Sequence, residues 1–268
     1  MLVNGKSLLI KAKKEKRAIF NFNINNLEWT KSILLECNKL NEPVILGVSE
    51  SAVNYMGGYD VVVSLVNSLI KDLDIKIDVV LHLDHGKSIL SCIKAIDAGF
   101  TSVMIDASKE EFAKNIEIVK EVVLYAHSKN VAVEAELGIM GELKDNNLEN
   151  SKLTNKDDCI KFVKETGIDS LAASVGTVHG LYTEKLNIDY GLINEISCSV
   201  DTPLVLHGGS GLPNSVLKEC VKNGITKINI NSDLQDKWAK SVRNFLDSNK
   251  DVIDPRKIIE SGMQSLME

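Results

Sequence analysis

Short apolar runs alternate along the chain with longer stretches in which apolar residues recur at helical spacing. Eight runs have the length of a strand, and several of the helical stretches end at a glycine, the residue that commonly follows the last turn of a helix. Strands that alternate with helices predict a parallel sheet with helices on its outside. The predicted strands are 18–23, 44–48, 78–84, 102–106, 131–136, 170–174, 204–207 and 226–230.

The number of predicted strands favours a closed (β/α)8 TIM barrel, in the α/β class, over an open doubly wound sheet, although the pattern alone allows both. A chain of 268 residues is long enough for one such barrel, so we expect a single domain over residues 1–268. One segment, 143–155, is polar and has no period. We expect it to be a long exposed loop, of the kind that often serves as a functional lid.

Composition and charge narrow the classes of partner. The net charge is −6 and no block of basic residues occurs, which argues against nucleic acid. The apolar run SLLI is interrupted by KAKKEKR, so it is too short for a signal sequence or a membrane span. The five cysteines form no C-x-x-C pair, as expected of reduced thiols in the cytoplasm. We therefore expect a cytoplasmic protein with no membrane partner.

Polar side chains collect where the predicted strands end. In a (β/α)8 barrel the carboxyl ends of the strands share one rim, and barrel enzymes hold their active sites there. Three of the five histidines lie at these ends, and three histidine ligands with an open fourth position are typical of a catalytic zinc site. The sequence therefore predicts a metal site on this rim. The rim residues are Asn23, Ser49, Asp84, His85, Asp106, Glu136, His179, His207 and Asn229.

Two carboxylates and one further histidine allow several roles at this stage. Asp106 and Glu136 could be paired catalytic carboxylates, could orient the metal ligands, or could form an alternative metal position. They could equally just accept hydrogen bonds from loop N–H groups. His82 shares strand parity with Asp84, whereas His85 does not. We expect His82 to be buried and hydrogen-bonded rather than to bind a metal.

Two successive strand ends predict an anion site. The first strand leads into Gly208, Gly209 and Ser210, small residues that let backbone N–H groups approach a ligand. The second leads into Asn231 and Ser232, which are good N-caps for the helix that follows. Two strand ends of this kind are typical of the phosphate site in the last two units of a (β/α)8 barrel.

Taken together, these motifs resemble the class II, metal-dependent ketose-bisphosphate aldolases. The resemblance covers nearly the whole chain and rests on an ordered series: FNINNLEW, PVILGVSE, LHLDHG, AGFTSVMIDAS, VEAELG, GTVHGLY, LVLHGGSG, KININ and DPRK. It implies a (β/α)8 barrel that forms a homodimer or homotetramer, binds zinc and reversibly cleaves a ketose 1,6-bisphosphate. Fructose 1,6-bisphosphate is the first candidate; tagatose 1,6-bisphosphate and related phosphorylated or sulfonated ketoses are the alternatives.

The resemblance implies roles for the residues around the metal. Asp84 would be the catalytic acid and base. The zinc ligands would be His85, His179 and His207. Asp106 and Glu136 match positions at which the family can hold a second or displaced metal ion.

The resemblance likewise implies which residues contact the phosphorylated sugar. Asn23 and Ser49 would line the substrate cleft, and Arg256 would reach the site of a neighbouring subunit to hold the far phosphate. A monovalent cation can lie near the phosphate site. The dihydroxyacetone phosphate site would comprise Gly180, Gly208, Gly209, Ser210, Asn229, Ile230, Asn231 and Ser232.

The chain departs from the family pattern in two places. After ELG the family usually has two adjacent glycines and then a glutamate that handles the proton on the enediolate carbon, whereas this chain reads ELGIMGELKD. Glu142 is the candidate for that role. Thr183 stands where many fructose-type members have lysine and tagatose-type members a small hydroxyl residue, whereas KININ and DPRK resemble the fructose type. The configuration at C4 of the substrate therefore stays open.

Two other functions stay open from the sequence. Lys227 shares strand parity with Asn229, so it could face the barrel interior and act as the nucleophile of a Schiff-base aldolase. Alternatively, the altered segment after ELG could leave a barrel that binds a sugar phosphate without cleaving it.

Overall fold

Eight parallel strands close into a barrel in the computed structural model, which describes residues 1–139, 141–144, 147–149, 153–180 and 188–267. The side chains of 141–144, 147–149 and 179 lie outside this description. The strands are β1 (Ile19–Asn23), β2 (Val44–Ser49), β3 (Val79–Gly86), β4 (Ser102–Ile105), β5 (Ala132–Leu137), β6 (Gly141–Lys144), β7 (Asn147–Glu149), β8 (Ser170–Ala173), β9 (Val178–His179), β10 (Leu204–Leu206) and β11 (Ile225–Ile230). The helices are α1 (Gly5–Lys14), α2 (Leu27–Leu40), α3 (Glu50–Met56), α4 (Tyr59–Asp72), α5 (Ile89–Ala98), α6 (Phe112–Ser128), α7 (Lys156–Thr166), α8 (Tyr190–Ser199), α9 (Asn214–Lys222), α10 (Ser232–Ser248) and α11 (Pro255–Ser265).

The strand order around the barrel is β1-β11-β10-β8-β5-β4-β3-β2. Strand β1 pairs in parallel with β2 on one side and with β11 on the other, so this sheet has no open edge. The pairing confirms the predicted (β/α)8 barrel and rules out the open sheet. All eight predicted strands are present, with ends that differ from the predicted ones by at most two residues.

Local sequence explains where several helices begin and end. Asn26 caps α2 by accepting a hydrogen bond from the main-chain N–H of Trp29, and Ser88 forms a capping box with Ser91 at the start of α5. Gly99 takes the left-handed conformation directly after α5, which stops the helix and returns the chain to the sheet. None of the described helices is long and apolar enough to cross a membrane.

The N-terminal end of the barrel interior is apolar and closed. Ile19, Ile45 and Val80 come from three adjacent strands and form one buried cluster with Leu8 and Leu9 of α1. Helix α1 therefore covers this end of the barrel. Reactive polar groups gather at the other end, where the carboxyl ends of the strands meet.

A second sheet, of order β7-β6-β9, follows the carboxyl ends of the barrel strands β5 and β8. The prediction of an irregular loop over 143–155 is therefore wrong where β6 and β7 pair in antiparallel fashion. The polar sequence hid this pairing because main-chain hydrogen bonds need no alternation of apolar and polar residues. Strand β6 also runs parallel to β9, which sets Glu142 opposite His179 in the ladder.

We expect the substitution Gly86→Ala to lower the free energy of unfolding by about 1–3 kcal/mol, because β3 has no room for a methyl group there. A Cβ atom on Gly86 would lie 2.6 Å from the main-chain oxygen of Met104 and 2.9 Å from Sγ of Cys92. Urea unfolding measures the change. The control is Gly5→Ala in α1, whose Cβ would lie 3.4 Å from Val80 and should change stability by no more than about 1 kcal/mol. Equal stabilities of the two variants would contradict this packing.

Candidate active site

A cleft of about 320 Å³ opens at the carboxyl ends of the barrel strands. Most of its lining was predicted from the sequence, which confirms that the strand ends converge on one rim. Three further lining residues, Asn25, Ser51 and Gln235, were not predicted. The predicted residues that line the cleft are Asn23, Ser49, Asp84, His85, Gly180, His207, Gly208, Ser210, Asn229, Asn231 and Ser232.

An unusual backbone conformation brings two neighbouring residues of β3 to the same centre. In a regular strand Asp84 and His85 would face opposite sides of the sheet. His85 instead has φ of 52°, in the left-handed region, and the pairing of β3 with β4 shifts register between Leu83 and Gly86. Both side chains therefore reach the cleft. His82 keeps the regular parity and is buried, as predicted.

Two of the three predicted histidine ligands meet at the rim. Nε2 of His85 lies 2.9 Å from Nδ1 of His207, with the two rings nearly perpendicular. With a carboxylate oxygen of Asp84, these nitrogens form a set whose members all lie within 4.8 Å of one another. The third predicted ligand, the side chain of His179, lies outside the described residues. Its backbone belongs to β9 at the same rim.

Carboxylates fix which nitrogen each imidazole turns to the centre. Asp106 accepts a hydrogen bond from Nδ1 of His85 at 3.0 Å, and Glu134 accepts one from Nε2 of His207 at 2.9 Å. The opposite nitrogen of each ring therefore faces the shared point. Carboxylates that hold histidines in this way are typical of metal sites, and two nitrogens with a carboxylate nearby suit zinc. A second group, His85 with Asp106 and Glu136, offers another set of this kind.

The charges at this centre depend on one another. Burial opposes protonation of His85, but the hydrogen bond to Asp106 and the carboxylate of Asp84 raise the pKa of His85 to about 9. Burial also opposes ionisation of Asp84, yet the neighbouring His85 and His207 hold its pKa well below its usual value. A cation bound between the imidazoles would take the place of this proton, since a metal ligand must offer a lone pair.

Asp84 is held in place by amides from two other strands. Nδ2 of Asn23 donates to one carboxylate oxygen at 2.7 Å, and Nδ2 of Asn229 donates to the other at 3.4 Å. Oδ1 of Asn229 is buried and has no hydrogen-bond partner among the described residues. A buried acceptor without a hydrogen bond destabilises the folded protein. A hydroxyl of a ligand in the cleft would donate the missing hydrogen bond.

The predicted phosphate end of the cleft is built from backbone groups and hydroxyls. Helix α10 begins at Ser232, and in the described structure no side chain caps its first N–H groups. Oγ of Ser210 accepts a hydrogen bond from the N–H of Asn231 at 2.9 Å, which ties the glycine-rich turn to this helix. Gly208 adopts a positive φ of 66°, which suits glycine. A helix start without a side-chain cap beside a glycine turn is an arrangement that suits an anion.

Two residues of the predicted phosphate site, Gly209 and Ile230, do not line the cleft and instead pack within the protein. The N–H of Gly209 donates to the main-chain oxygen of Asn229 at 3.0 Å. A Cβ atom on Gly209 would lie 2.6 Å from Cγ2 of Ile228, so glycine lets the turn pack against β11. Ile230 is buried in the main apolar core.

Three other predicted residues, Asp106, Glu136 and Arg256, do not line the cleft. Asp106 and Glu136 lie beside His85. This position is compatible with orienting His85 and with binding a metal ion. Arg256 is 89% exposed on α11 and pairs with Asp254. The side chain of Glu142 and all of Thr183 lie outside the described residues.

Lys227 faces the barrel interior, as its parity predicts, but it does not line the cleft. Its ammonium group is 2.7 Å from Glu134 and is buried with it. A lysine nucleophile must reach the substrate carbonyl, and the ion pair with Glu134 holds Lys227 in the interior, away from the cleft. The Schiff-base reading is therefore wrong.

Two signals in the sequence could have found the residues that were missed. Glu134 shares strand parity with Glu136, so a buried carboxylate below the rim was accessible to the same argument. Gln235 follows Ser232 by three residues, which places both on one face of α10. Asn25 and Ser51 lie two residues after Asn23 and Ser49, one in the loop after β1 and the other in the first turn of α3, and no local pattern marks either as part of the site.

Known proteins match the chain along its whole length. A family model of class II fructose-bisphosphate aldolase matches residues 3–268. Fructose-bisphosphate aldolase of Staphylococcus epidermidis is 45% identical over 268 residues, covering 100% of this chain and 94% of the relative. That of Geobacillus stearothermophilus is 45% identical over 266 residues, covering 99% and 93%. The crystal structure of the YdjI aldolase from Escherichia coli K12 has a TM-score of 0.86 at 28% identity, covering 100% of this chain and 94% of that one.

The matches agree with the geometry on the fold. The solved aldolase shares the closed eight-stranded barrel. The family model leaves out only the first two residues of the chain. On these grounds the chain belongs to the class II fructose-bisphosphate aldolase family, whose members are lyases.

Proposed function

We propose that this protein reversibly cleaves fructose 1,6-bisphosphate into dihydroxyacetone phosphate and an aldehyde phosphate, with zinc as its cofactor and in the cytoplasm. The observation that carries the proposal is the meeting of Asp84, His85 and His207 within 4.8 Å, in a cleft that Ser232, the first residue of α10, also lines. The names of relatives at 45% identity support fructose 1,6-bisphosphate as the substrate.

His85 and His207 would hold the metal, joined by His179 from β9. When bound, zinc supplies a Lewis acid that polarises the ketose carbonyl and stabilises the charge left on the three-carbon fragment. Asp106 orients His85 through its hydrogen bond of 3.0 Å. With Glu136, Asp106 also offers a position for a second divalent ion.

Asp84 would act as the base that removes the proton of the C4 hydroxyl when the C3–C4 bond breaks. Its neighbours keep the carboxylate ionised, and the amides of Asn23 and Asn229 hold it in one orientation. In the synthetic direction the same group returns the proton to the aldehyde oxygen. Glu142, which lies opposite His179 in the β6–β9 ladder, is the proposed acid and base for the proton on C3.

The part of the cleft wall formed by the glycine-rich turn and the start of α10, here called the phosphate wall, would hold the three-carbon fragment in a fixed position. Gly180 and Gly208 would leave room for the phosphate, and Ser210 would offer a hydroxyl. Helix α10 would offer its first N–H groups. A monovalent cation near Gly180 and Ser210 would complete this wall. Binding energy from the phosphate acts on the reaction by positioning the reacting carbons, since uniform binding alone gives no acceleration. Gly209 and Ile230 support this wall from the core side.

Arg256 would serve the site of a neighbouring subunit in a homodimer or homotetramer. Its side chain is 89% exposed and does not line the cleft of its own chain. An exposed arginine can bind a phosphate through two hydrogen bonds at once, so it suits the far phosphate of a bisphosphate.

The proposal predicts a specific order of substrates. In a coupled assay with zinc present, kcat/KM for fructose 1,6-bisphosphate should exceed that for tagatose 1,6-bisphosphate and for the matching ketose 1-phosphates. Both phosphate sites must be filled for full positioning, so removing one should cost at least about tenfold. A reversed order would assign the protein to the tagatose type. Zinc binding without cleavage of any ketose would identify a binding protein.

We expect Asp84→Ala to lower kcat by about 100- to 10,000-fold, the usual contribution of a general base. Zinc content should stay near that of the wild type, because the imidazoles of His85 and His207 keep their own carboxylate partners. Steady-state kinetics and metal analysis of the same sample measure both quantities. Asp157→Ala, at an exposed aspartate of α7, is the matched control. Turnover that survives in Asp84→Ala would reject the assigned role.

Mixed dimers test whether Arg256 acts across subunits. Arg256→Ala and Asp84→Ala should each be nearly inactive alone. In a 1:1 mixture that exchanges subunits, about a quarter of the sites would combine an intact Asp84 with an intact partner arginine. Activity should therefore return to about a quarter of the wild-type value. No recovery, with mixed dimers shown to form, would place Arg256 at its own site or at none.

A further inference from the structure

A layer of polar and charged side chains lies inside the barrel, one step below the rim histidines. It is built from Glu134 on β5, Lys227 on β11 and His82 on β3. Each side chain is about 1% exposed. None of the three lines the cleft, so none can contact a substrate there. Isolated charges at such depth are strongly unfavourable, so this layer needs an explanation.

The hydrogen bonds in this layer determine each donor and acceptor. Nζ of Lys227 donates to Oε2 of Glu134 at 2.7 Å and to Nε2 of His82 at 3.1 Å. Because an ammonium group only donates, Nε2 of His82 must accept. The hydrogen of this ring is then on Nδ1, which donates to Oγ of Ser102 at 2.8 Å. Burial and the charge of Lys227 lower the pKa of His82 to about 3, so the ring is neutral.

Glu134 links this layer to the rim. Its Oε2 takes two donors, Lys227 and the hydroxyl of Ser170 at 3.2 Å. Its Oε1 accepts a hydrogen bond of 2.9 Å from Nε2 of His207. Nε2 of His207 therefore carries the hydrogen, and Nδ1 is the nitrogen that faces His85. The ion pair with Lys227 allows a carboxylate to persist at this depth and to accept from His207.

We propose that Glu134 and Lys227 are positioning residues for the metal site: Glu134 sets the tautomer and ring orientation of His207, and Lys227 holds Glu134 in place. The inference rests on the proposed function, since it assumes that His207 binds the metal through Nδ1. Lys227 would then support the metal site by holding Glu134 and would not act as a nucleophile. A merely structural ion pair would stabilise the barrel without changing how His207 meets a metal.

The substitution Glu134→Gln distinguishes a positioning role for Glu134 from a purely structural ion pair. Glutamine has one acceptor oxygen where glutamate has two. Lys227 and Ser170 would both draw that oxygen to the former Oε2 position, which turns the amide NH2 toward His207. Nε2 of His207 must then accept, and the hydrogen moves to Nδ1, where it blocks the metal. We expect zinc affinity, measured by competition with a chromophoric chelator, to fall by about 10- to 100-fold.

A second substitution in the same protein should reverse this loss. In Glu134→Gln/Lys227→Met no ammonium competes for the glutamine oxygen, so that oxygen can accept from His207 again. We expect the double variant to recover most of the zinc affinity that the single variant loses. It also leaves no unpaired buried charge, so it should fold even if the single variant does not. Recovery by removing a second group is not expected of a structural ion pair.

The matched control is Asp169→Asn at the other end of the barrel. Asp169 is also a buried carboxylate, and it pairs with Nζ of Lys6 at 2.9 Å and with Nε2 of His127 at 2.8 Å. The change removes the same charge far from the rim, so stability should fall while zinc affinity stays at the wild-type value. Equal zinc affinity in Glu134→Gln, the double variant and the wild type would overturn the inference.

Nitrogen NMR of the metal-free wild type gives a readout that needs neither zinc nor activity. The 15N shifts of His207 should show a hydrogen on Nε2 and none on Nδ1, and Glu134→Gln should reverse this pattern. A wild type with the hydrogen on Nδ1 would overturn the inference even if zinc binds. A wild type that binds no zinc but shows the expected tautomer would contradict the proposed function and leave the positioning by Glu134 supported.

Discussion

The orientation of two imidazole rings is the constraint on which the site depends. His85 and His207 turn one nitrogen each toward a common point because a carboxylate accepts from the other nitrogen of each ring. Had either ring turned over, a hydrogen would occupy the position of a ligand lone pair. The carboxylates, in turn, need neighbours that keep them ionised away from water. The chemistry of the rim therefore depends on charge compensation within the barrel.

The barrel provides this compensation by dividing its interior into layers. At the N-terminal end, apolar side chains and α1 exclude water. Above them, Lys227 balances Glu134 in a setting where an unpaired charge would be very costly. At the rim, β1 and β11 supply the amides that hold Asp84 of β3. Because adjacent strands are rigidly paired, side chains from remote parts of the chain keep fixed distances from one another.

The proposed phosphate site relies on geometry more than on charged side chains. Among the described residues that line it, none is a lysine or an arginine. The N–H groups at the start of α10 and the turn at Gly208 would take their place, and such groups would select for the position of a phosphate as well as for its charge. The described arginine that the family assigns to the far phosphate, Arg256, is exposed on α11. Under the proposed function, one chain would supply one half of a bisphosphate site, and we expect a second chain to complete it.

Sequence alone predicted the strands and most of the cleft wall, because the period of a strand is local and parallel strands end at one rim. It favoured the barrel, but only the pairing of β1 with β11 excluded an open sheet. It also determined the burial of His82 from its parity. Only the tertiary structure decided that His85 takes a left-handed conformation, that β6 pairs with β9, and that Lys227 binds Glu134, 93 residues away. The physical reason is that these features depend on contacts between distant strands, which exist only once the barrel has closed and which no local pattern encodes.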